Sequence, residues 1–304
     1  MNYSCFLKDI AQRVRERVSA GCTVEVKSMR KNNGIMLECM IIHRAEDTVS
    51  ANIYLNQIYE KYLDGMTMDQ AVEEILFAWH SAMPAMQIDA DRLINADIIR
   101  SQVVYRLVNY EKNAELLGTV PHKDLLDLAL VYYVMVHNEE MGDGAVMVQD
   151  HFLEYYGLTL EEVDEAASRN TPVLLPADFI KIADLLREFG EKSGAYTYSD
   201  LTLEEESVQT PLYVLTNKFR MFGAYYMTDR TVLRKIADQM DADLYLLPSS
   251  VHECMVVSAD TWEDPQDLAV MVQEINRTQV SEDEYLADSV YRFSREDESL
   301  VIAA

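Results

Sequence analysis

The sequence predicts an α+β fold in which antiparallel sheets, built from β-hairpins, are covered by amphipathic helices. Strand-like segments come in pairs joined by short turns, and segments with apolar residues at steps of three and four lie between them. A unit of two strands and a helix is predicted twice, at 127–168 and at 211–240. Apolar residues make up 49% of the 304, enough for a sizeable core. Hairpins that alternate with helices are typical of α+β folds, whose sheets carry helices on one face.

The first hundred residues predict a helix, a hairpin and then further helices. Residues 3–19 place apolar side chains at helical spacing, and Gly21 follows as a helix stop. An Asn-Gly pair between two strand-like segments is a hairpin turn signal. We expect strands at 22–29, 35–44 and 49–55, helices at 55–65 and at 67–83 with Thr67 as N-cap and Pro84 beyond the end, and more helix within 89–100.

The remaining residues predict strands that alternate with capped helices. Thr159 and Glu162 have the spacing of a capping box, and Asp229 is placed to cap a later helix. Residues 190–210 are polar and weakly patterned, so we interpret them as a surface connection. Predicted strands are 102–110, 125–137, 145–149, 211–217, 223–228, 243–248, 253–258 and 289–295; predicted helices are 150–157, 159–170, 177–190, 229–240 and 264–279, with a break at 171–176.

These elements predict two regions with a boundary at residue 100. The N-terminal α+β region is 1–100, and the C-terminal α+β region is 101–304, which contains the units of two strands and a helix. A chain of 304 residues has room for two ordinary domains.

The chain is acidic, with 52 Asp and Glu against 26 Lys and Arg and a formal net charge of −26. Nucleic-acid binding needs cations that displace counterions from phosphates, and anionic membranes attract basic segments. The charge therefore argues against direct binding to nucleic acids or membranes. Residues 1–45 nevertheless carry a net charge of +4. We expect this basic segment to face the acidic remainder of its own chain, with a small anionic partner as the alternative.

The cysteines and the apolar pattern predict a cellular compartment. Cys5, Cys22, Cys39 and Cys254 form no CxxC pair, and a chain of this length needs no disulfides, so we expect reduced thiols. The first residues lack the pattern of a signal peptide, and no window approaches 18 uncharged apolar residues. No GxGxxG or GxxxxGK[ST] motif is present. We expect a cytoplasmic protein without a membrane segment or a cofactor.

Four short stretches of the sequence carry a family resemblance. They are KNNG at 31–34, NTP at 170–172, GAYYMTDRTVLRKIA at 223–237 and LYLLPSSVHE at 244–253. Together they resemble a family of uncharacterised proteins from gut-dwelling Firmicutes, over most of the chain and best over residues 101–300. PSSVHE is the most specific stretch. The resemblance implies a cytoplasmic bacterial protein that travels with mobile elements, and it implies no reaction and no catalytic residue.

The stretch LYLLPSSVHECMVV, residues 244–257, brings polar side chains together between two apolar runs. A Ser–His hydrolase needs a histidine nitrogen about 3 Å from its nucleophile, whereas neighbours in a strand point to opposite faces. GxSxG is absent, and HExxH fails because position 256 is Val. We interpret the stretch as a turn between strands and rank catalysis last. The alternative is a binding role at a sheet edge for Ser249, Ser250, His252 and Glu253.

The remaining histidines do not sit at metal-ligand spacing. One loose cluster surrounds the tip of a predicted hairpin, where acidic side chains are usually just solvated. The segment EEMGDG lacks the alternating oxygen ligands of an EF-hand loop. We therefore expect no metal site. The members of the cluster are His137, Glu139, Glu140, Asp143, Asp150 and His151.

Tyrosines occur as consecutive pairs at 132–133, 155–156 and 225–226. In a strand, one member of such a pair faces the core and its neighbour faces solvent or a partner. Tyrosine suits both settings because its ring is apolar and its hydroxyl is polar. We expect half-buried positions at the edge of the core, with an interface to another chain as the alternative.

The leading functional hypothesis is a soluble, non-catalytic protein-interaction module. It binds a protein partner through an acidic, tyrosine-bearing surface. One alternative is an acidic mimic of nucleic acid that occupies a DNA-binding enzyme, and another is an enzyme with a scattered site without a motif. Self-association into a homo-oligomer stays open.

Overall fold

The computed structural model describes residues 1–47, 50–82, 94–138, 142–184, 212–248, 250–262 and 264–304, with backbone only at 137, 138, 142 and 143. Its helices are α1 (Tyr3–Arg17), α2 (Leu55–Leu63), α3 (Met68–Ala82), α4 (Ala96–Gln102), α5 (Ala114–Leu117), α6 (Asp150–Tyr156), α7 (Leu160–Leu174), α8 (Arg230–Met240) and α9 (Pro265–Gln279). Its strands are β1 (Cys22–Arg30), β2 (Met36–Arg44), β3 (Asn52–Tyr54), β4 (Val103–Asn109), β5 (His122–Leu125), β6 (Leu128–Asn138), β7 (Gly142–Met147), β8 (Ala177–Lys181), β9 (Tyr213–Asn217), β10 (Leu244–Pro248), β11 (Cys254–Ser258), β12 (Tyr291–Phe293) and β13 (Leu300–Ile302).

The chain divides into two compact units. The first contains Met1–Ile99 and Val134–Val146, and the second contains Arg100–Tyr133 and Met147–Ala304. The boundary at residue 100 stays a prediction, since the first unit also takes in residues 134–146. The α+β class is confirmed, because helices and antiparallel hairpins are present in the described residues.

The first unit contains a three-stranded antiparallel sheet in the order β1-β2-β3. β1 and β2 pair from Cys22↔Arg44 to Arg30↔Met36, as the hairpin prediction requires. The loop between them holds Asn33 at φ 61° and Gly34 at φ 71°. Both residues tolerate the left-handed region, and this tolerance explains why an Asn-Gly pair closes the hairpin.

The core of the first unit lies between this sheet and helices α1, α2 and α3. Apolar side chains of α1 and α3 recur at helical spacing and are buried, so the amphipathic patterns are confirmed. Thr67 caps α3 together with Gln70, whereas Pro84 lies outside the described residues. The central buried residues are Phe6, Ile10, Val14, Met40, Ile42, Leu55, Val72, Ile75 and Trp79.

The basic charges of α1 meet acidic side chains of α3. Arg13 Nη1 lies 3.4 Å from Asp69 Oδ1, and Arg17 forms ion pairs with Asp69 and Glu73. This pairing supports the interpretation that the basic N-terminal segment faces acidic groups of its own chain. Each pair is exposed and so contributes little to stability.

The second unit is built on a six-stranded sheet in the order β13-β12-β10-β11-β9-β8, whose neighbouring strands all pair antiparallel. Helix α9 packs on the face that carries Tyr245, Leu247 and Val257. The other sheet has the order β4-β6-β5, with β7 paired to β6. β6 runs from the second unit into the first at Val134.

Helix capping in the second unit follows the predicted chemistry. The Thr159 side chain accepts from the Glu162 amide while the Glu162 carboxylate accepts from the Thr159 amide, which confirms the capping box of α7. Asp229 accepts from the amides of Thr231 and Val232 at the start of α8. These interactions are local in sequence, so the sequence pattern was sufficient to locate them.

Several predicted elements are wrong. Residues 177–181 form strand β8 instead of the start of a helix, because they pair with β9 from Ala177↔Asn217 to Lys181↔Tyr213. Residues 223–228 form a 3₁₀ helix, so the second predicted unit of two strands and a helix does not exist. Helix α7 continues through Pro172 to Leu174, although a break was expected at 171–176. The connection at 190–210 lies outside the described residues.

The tyrosine pairs do not form the half-exposed edge that the sequence suggested. Tyr132 and Tyr133 are both buried although they are neighbours in a strand, and Tyr225 and Tyr226 are both buried in the 3₁₀ helix. Tyr155 alone of these pairs is largely exposed, at 77%. Most of these rings therefore serve the core, and the interface alternative loses its support at 132–133 and 225–226.

The four cysteines are free; Cys5 is exposed, whereas Cys39 and Cys254 are buried. Within the described residues, no helix combines the length and apolar character that crossing a bilayer requires.

Candidate functional site: the loop around His252

The polar residues of the stretch 244–257, which we considered as a catalytic site, lie in the loop of a hairpin. β10 and β11 pair up to Pro248↔Cys254, so the loop consists of residues 249–253. The Ser250 amide donates to the Glu253 carbonyl at 3.3 Å across its base. The turn interpretation is consistent with this geometry. Ser249 lies outside the described residues.

Polar groups of this loop form hydrogen bonds within the loop and with neighbouring segments. The His252 amide donates to Ser250 Oγ at 3.0 Å, and the His252 carbonyl accepts from Thr216 Oγ1 at 2.8 Å. The Val251 amide donates to the Glu284 carbonyl at 2.9 Å. Ser250 therefore acts as a turn residue whose oxygen accepts from the main chain.

The loop is packed closely against the 3₁₀ helix that begins at Gly223. A Cβ at Gly223 would overlap the Thr216 hydroxyl and would lie 2.5 Å from the His252 carbonyl oxygen. Real Cβ atoms do not approach other atoms so closely. Glycine is required at position 223 because two stretches of backbone pass each other there.

The His252 ring is held by a backbone amide. Its Nδ1 accepts from the Phe222 amide at 3.2 Å, and the ring stacks on Phe222 with centroids 6.1 Å apart. Because Nδ1 is the acceptor, the neutral ring carries its proton on Nε2, which lies 3.6 Å from Glu284 Oε1. The His252 ring nitrogens face the Phe222 amide and Glu284, whereas Ser250 Oγ accepts from the main-chain amide of His252, so the ring and the hydroxyl do not form a nucleophile–base pair.

Burial favours the neutral forms of both titratable side chains in the loop. Burial lowers the pKa of His252, and Arg106 acts in the same direction, while Glu284 and Asp283 oppose it. Burial also raises the pKa of Glu253, against the opposing charge of Arg220. The neighbouring Cys254 is buried, which raises the pKa of its thiol, so it is not an activated nucleophile.

Arg106 of β4 adds a cation that sequence reasoning missed. Its guanidinium lies 5.0 Å from the ring centroid of Phe222 and 5.3 Å from that of Tyr133, and its Nη1 donates to the Tyr133 hydroxyl at 3.0 Å. Its buried Nε has no hydrogen-bond partner among the described residues. The Phe222 ring therefore contacts both a guanidinium and an imidazole. Arg106 precedes Phe222 by 116 positions, so no local pattern in the sequence predicts this contact.

Residues 218–222, which we call the Phe219 loop, adopt strained backbone next to His252. Arg220 and Phe222 have φ of 53° and 61°, a region that costs non-glycine residues roughly 1–2 kcal/mol each. The buried side chain of Asn217 holds the loop: its Nδ2 donates to the Met221 carbonyl, and its Oδ1 accepts from the amides of Phe219 and Met221. Despite this restraint, the Phe219 side chain is 63% exposed.

A second polar cluster surrounds Asp164 of α7. Its carboxylate accepts from the hydroxyls of Tyr105 and Tyr132 at 2.8 and 2.9 Å and from Lys123 Nζ at 2.9 Å. Burial raises the pKa of both tyrosines, so the hydroxyls stay protonated as donors. These contacts join α7 to strands β4, β5 and β6. Each donor of the cluster is hydrogen-bonded to the Asp164 carboxylate. We assign the cluster a structural role.

The predicted loose cluster of possible metal ligands is only partly visible. Glu139 and Glu140 lie outside the described residues, and so do the side chains of His137 and Asp143. Asp150 and His151 are exposed at the start of α6. Among the side chains that the structure describes, no three His, Cys, Asp or Glu come together as a metal site would require.

Comparison with known proteins places the chain in a family. A family model described as a family of unknown function, DUF5688, matches residues 3–295. The chain belongs to this family. No curated protein and no solved structure matches it. The resemblance predicted from the sequence is thus confirmed as membership of a family without an assigned function.

Proposed function

We propose that this DUF5688 member is a non-catalytic protein-binding module whose recognition element is the Phe219 loop. Residues 249–253, which we call the His252 loop, restrain that element through the hydrogen bond between His252 and the Phe222 amide. Ser250, His252 and Glu253, and by the sequence prediction Ser249, therefore belong to the binding region. The observation that carries the proposal is an exposed aromatic side chain on a restrained, strained loop.

Strain and exposure together favour recognition over packing. Left-handed backbone at Arg220 and Phe222 persists only because Asn217, His252 and Arg106 hold the surrounding groups. Strained positions of this kind cluster at sites of ligand recognition. A loop fixed before binding loses little conformational entropy on binding, and an exposed aromatic side chain is a common anchor of protein interfaces.

Charge indicates the chemistry of the partner. A chain of net charge −26 repels other acidic proteins and attracts basic ones, mainly by raising the rate of encounter. The partner that fits is a basic protein with an apolar pocket for Phe219. A second copy of this acidic chain fits less well, because the two copies would repel each other.

The contacts at the His252 loop support a role without catalysis. Ser250 Oγ and His252 Nδ1 both accept from backbone amides, and the Cys254 thiol is buried. The nucleic-acid mimic gains no specific support, because one cluster of acidic side chains in the second unit is paired with arginines. The cluster consists of Asp238, Asp241, Asp243 and Glu298. Its ion pairs are Arg234–Asp238, Arg234–Glu298, Arg292–Asp243, Arg295–Asp238 and Arg295–Asp241.

We place the module in the cytoplasm of a gut-dwelling Firmicute. The free cysteines fit a reducing compartment, and the sequence resemblance supports the source. This placement makes the proteins of the same cytoplasm the pool in which the partner is to be found.

Affinity capture with the full chain tests the proposal. The baits are the native chain, Phe219→Ala and, as a matched control, Phe77→Ala, which removes a ring that is 74% exposed in α3. The native and Phe77→Ala baits should recover the same basic protein from a lysate of the source bacterium. Phe219→Ala should weaken the purified pair by about 30-fold in Kd, as truncation of an interface anchor does. Equal recovery by all three baits would contradict the proposal.

Salt dependence separates a basic partner from a second copy. The association rate of the purified pair should fall steeply between low and high ionic strength. Sedimentation of the chain alone should show no Phe219-dependent dimer. A dimer that Phe219→Ala dissolves would assign the loop to self-association and overturn the choice of a basic partner.

A further inference from the structure

We propose that protonation of His252 breaks its hydrogen bond to the Phe222 amide and loosens the Phe219 loop, so that the loop is a pH-sensitive recognition element. Its consequence for binding rests on the proposed function, whereas the structural switch does not. Histidine is suited to this role because its charge changes between pH 5 and 8.

The chemistry of the switch follows from one atom. A neutral imidazole accepts through one nitrogen, and in His252 this nitrogen is Nδ1, which accepts from the Phe222 amide at 3.2 Å. An imidazolium carries hydrogen on both nitrogens. Protonation therefore places two donors against each other and removes the acceptor that the Phe222 amide needs.

The released amide belongs to a strained residue. Phe222 has φ of 61°, and its amide immediately precedes the close approach of Gly223 to the His252 carbonyl. Asn217, which does not titrate, holds the preceding residues of the loop through Phe219 and Met221. Loss of the His252 contact thus leaves Phe222 without its side-chain restraint, although Asn217 still holds Phe219 and Met221, and ordinary backbone conformations become accessible at Phe222.

Charged groups on every side of His252 decide when it titrates. Asp283 and Glu284, in the segment between α9 and β12, favour the charged ring, whereas Arg106 of β4 disfavours it. Glu253 lies in the same loop as His252, and Arg220 in the Phe219 loop acts on Glu253. Burial is the largest influence and lowers the pKa of His252, so the switch operates on the acidic side of the ordinary histidine range.

The test follows the Phe222 amide in the full chain. Samples labelled with ¹⁵N at phenylalanine and histidine report the ring titration of His252 and the hydrogen exchange of the Phe222 amide, corrected for its intrinsic pH dependence. Protection of this amide should fall by about fivefold as the ring is protonated, which corresponds to one ordinary hydrogen bond. Constant protection through the ring titration would overturn the inference.

Two variants identify the titrating group. His252→Asn places an amide oxygen near the position of Nδ1 and cannot be protonated, so it should keep the protection and abolish its pH dependence. Glu253→Gln removes the other titrating group of the loop and should leave the pH dependence in place. Dependence that survives in His252→Asn, or disappears in Glu253→Gln, would refute the assignment to His252. The native-chain titration decides by itself if His252→Asn fails to fold.

The switch and the proposed function fail in different ways. The amide measurement needs no partner, so a pH-dependent Phe222 amide with no Phe219-dependent partner refutes only the binding role. A Phe219-dependent partner with a pH-independent amide refutes only the switch. If both hold, the partner's Kd should rise between pH 7.5 and pH 5.5 for the native chain and stay constant for His252→Asn.

Discussion

Two hairpin loops of equal length close in different ways. The β1–β2 loop, residues 31–35, and the β10–β11 loop, residues 249–253, each connect antiparallel strands. The first places its positive φ angles on Asn33 and Gly34, which tolerate them. Beside the second loop, positive φ falls on Arg220 and Phe222. The first loop is thus encoded by its own residues, whereas the conformation near His252 depends on contacts from distant parts of the chain.

That difference separates a loop that only closes a hairpin from one that holds a neighbour in place. Asn and Gly make the β1–β2 turn with little strain, so no further contact is needed to explain it. An arginine and a phenylalanine in the left-handed region need an external restraint, and Asn217 and His252 provide it. This restraint is the physical basis for assigning recognition to the Phe219 loop.

Gly223→Ala should have the largest effect, because its Cβ would overlap backbone and not only a flexible side chain. We expect a loss of about 3 kcal/mol in the free energy of unfolding, as for an overpacked core site. Urea denaturation measures it. Gly118→Ala is the control, since its Cβ would meet the Glu115 carbonyl at an ordinary 3.5 Å, and its cost should stay below about 0.5 kcal/mol. Equal costs would show that the close approach near His252 is easily relieved.

Asn217→Ala should have the next largest effect. It removes three partly buried hydrogen bonds to the main chain of the Phe219 loop, at a cost of about 2 kcal/mol. Asn33→Ala in the β1–β2 loop should cost about 1 kcal/mol, through its φ of 61°. Thermal unfolding of both variants gives the comparison. A larger loss for Asn33→Ala would reverse the proposed contrast between the loops.

Arg220→Gly tests the strain itself. Glycine relieves the left-handed backbone but gains freedom in the unfolded chain, so the two effects should cancel to within about 0.5 kcal/mol. Lys218→Gly, where φ is not positive, should cost about 1 kcal/mol in the same assay. Arg220→Gly should also weaken partner binding, since the loop is less restrained. If the two variants cost the same, position 220 carries no strain.

The smallest expected effect is the pH dependence of stability from His252. Its pKa is lowered in the folded state, so the unfolded chain binds the proton more readily. Stability is therefore fully present above about pH 6.5 and falls as the pH drops toward the folded-state pKa. Native chain and His252→Asn, compared by urea denaturation at pH 7.5 and pH 5.5, should differ in this slope. Identical slopes would mean that burial of His252 does not favour its neutral form.

The same contrast explains which predictions from the sequence were correct. The Asn33–Gly34 turn, the Thr159–Glu162 capping box and the Asp229 cap depend on residues within a few positions, and all were predicted. Residues 177–181 have a helical apolar pattern, but pairing with β9 overrides it. Residues 223–228 are rich in aromatic residues and so resemble a strand, yet the close approach at Gly223 turns them into a 3₁₀ helix.

The candidate site was predicted only in part. The 249–253 turn and the candidates Ser250, His252 and Glu253 were identified from their sequence, because polar residues between two apolar runs mark a hairpin loop. Arg106, Asn217 and the Phe219 loop were missed, since their role arises when β4, β9 and the 3₁₀ helix meet the hairpin. No pattern within a short window contains that information.

The distribution of the four thiols makes the binding experiments easier to carry out. Cys39 and Cys254 are buried, and Cys22 is only partly accessible, so a thiol-reactive dye should enter first at Cys5 near the start of α1. Cys254, directly after the His252 loop, should stay unmodified as long as the chain is folded. One fluorophore attached to the native sequence can therefore report partner association by anisotropy, without an engineered residue anywhere near the surface being measured.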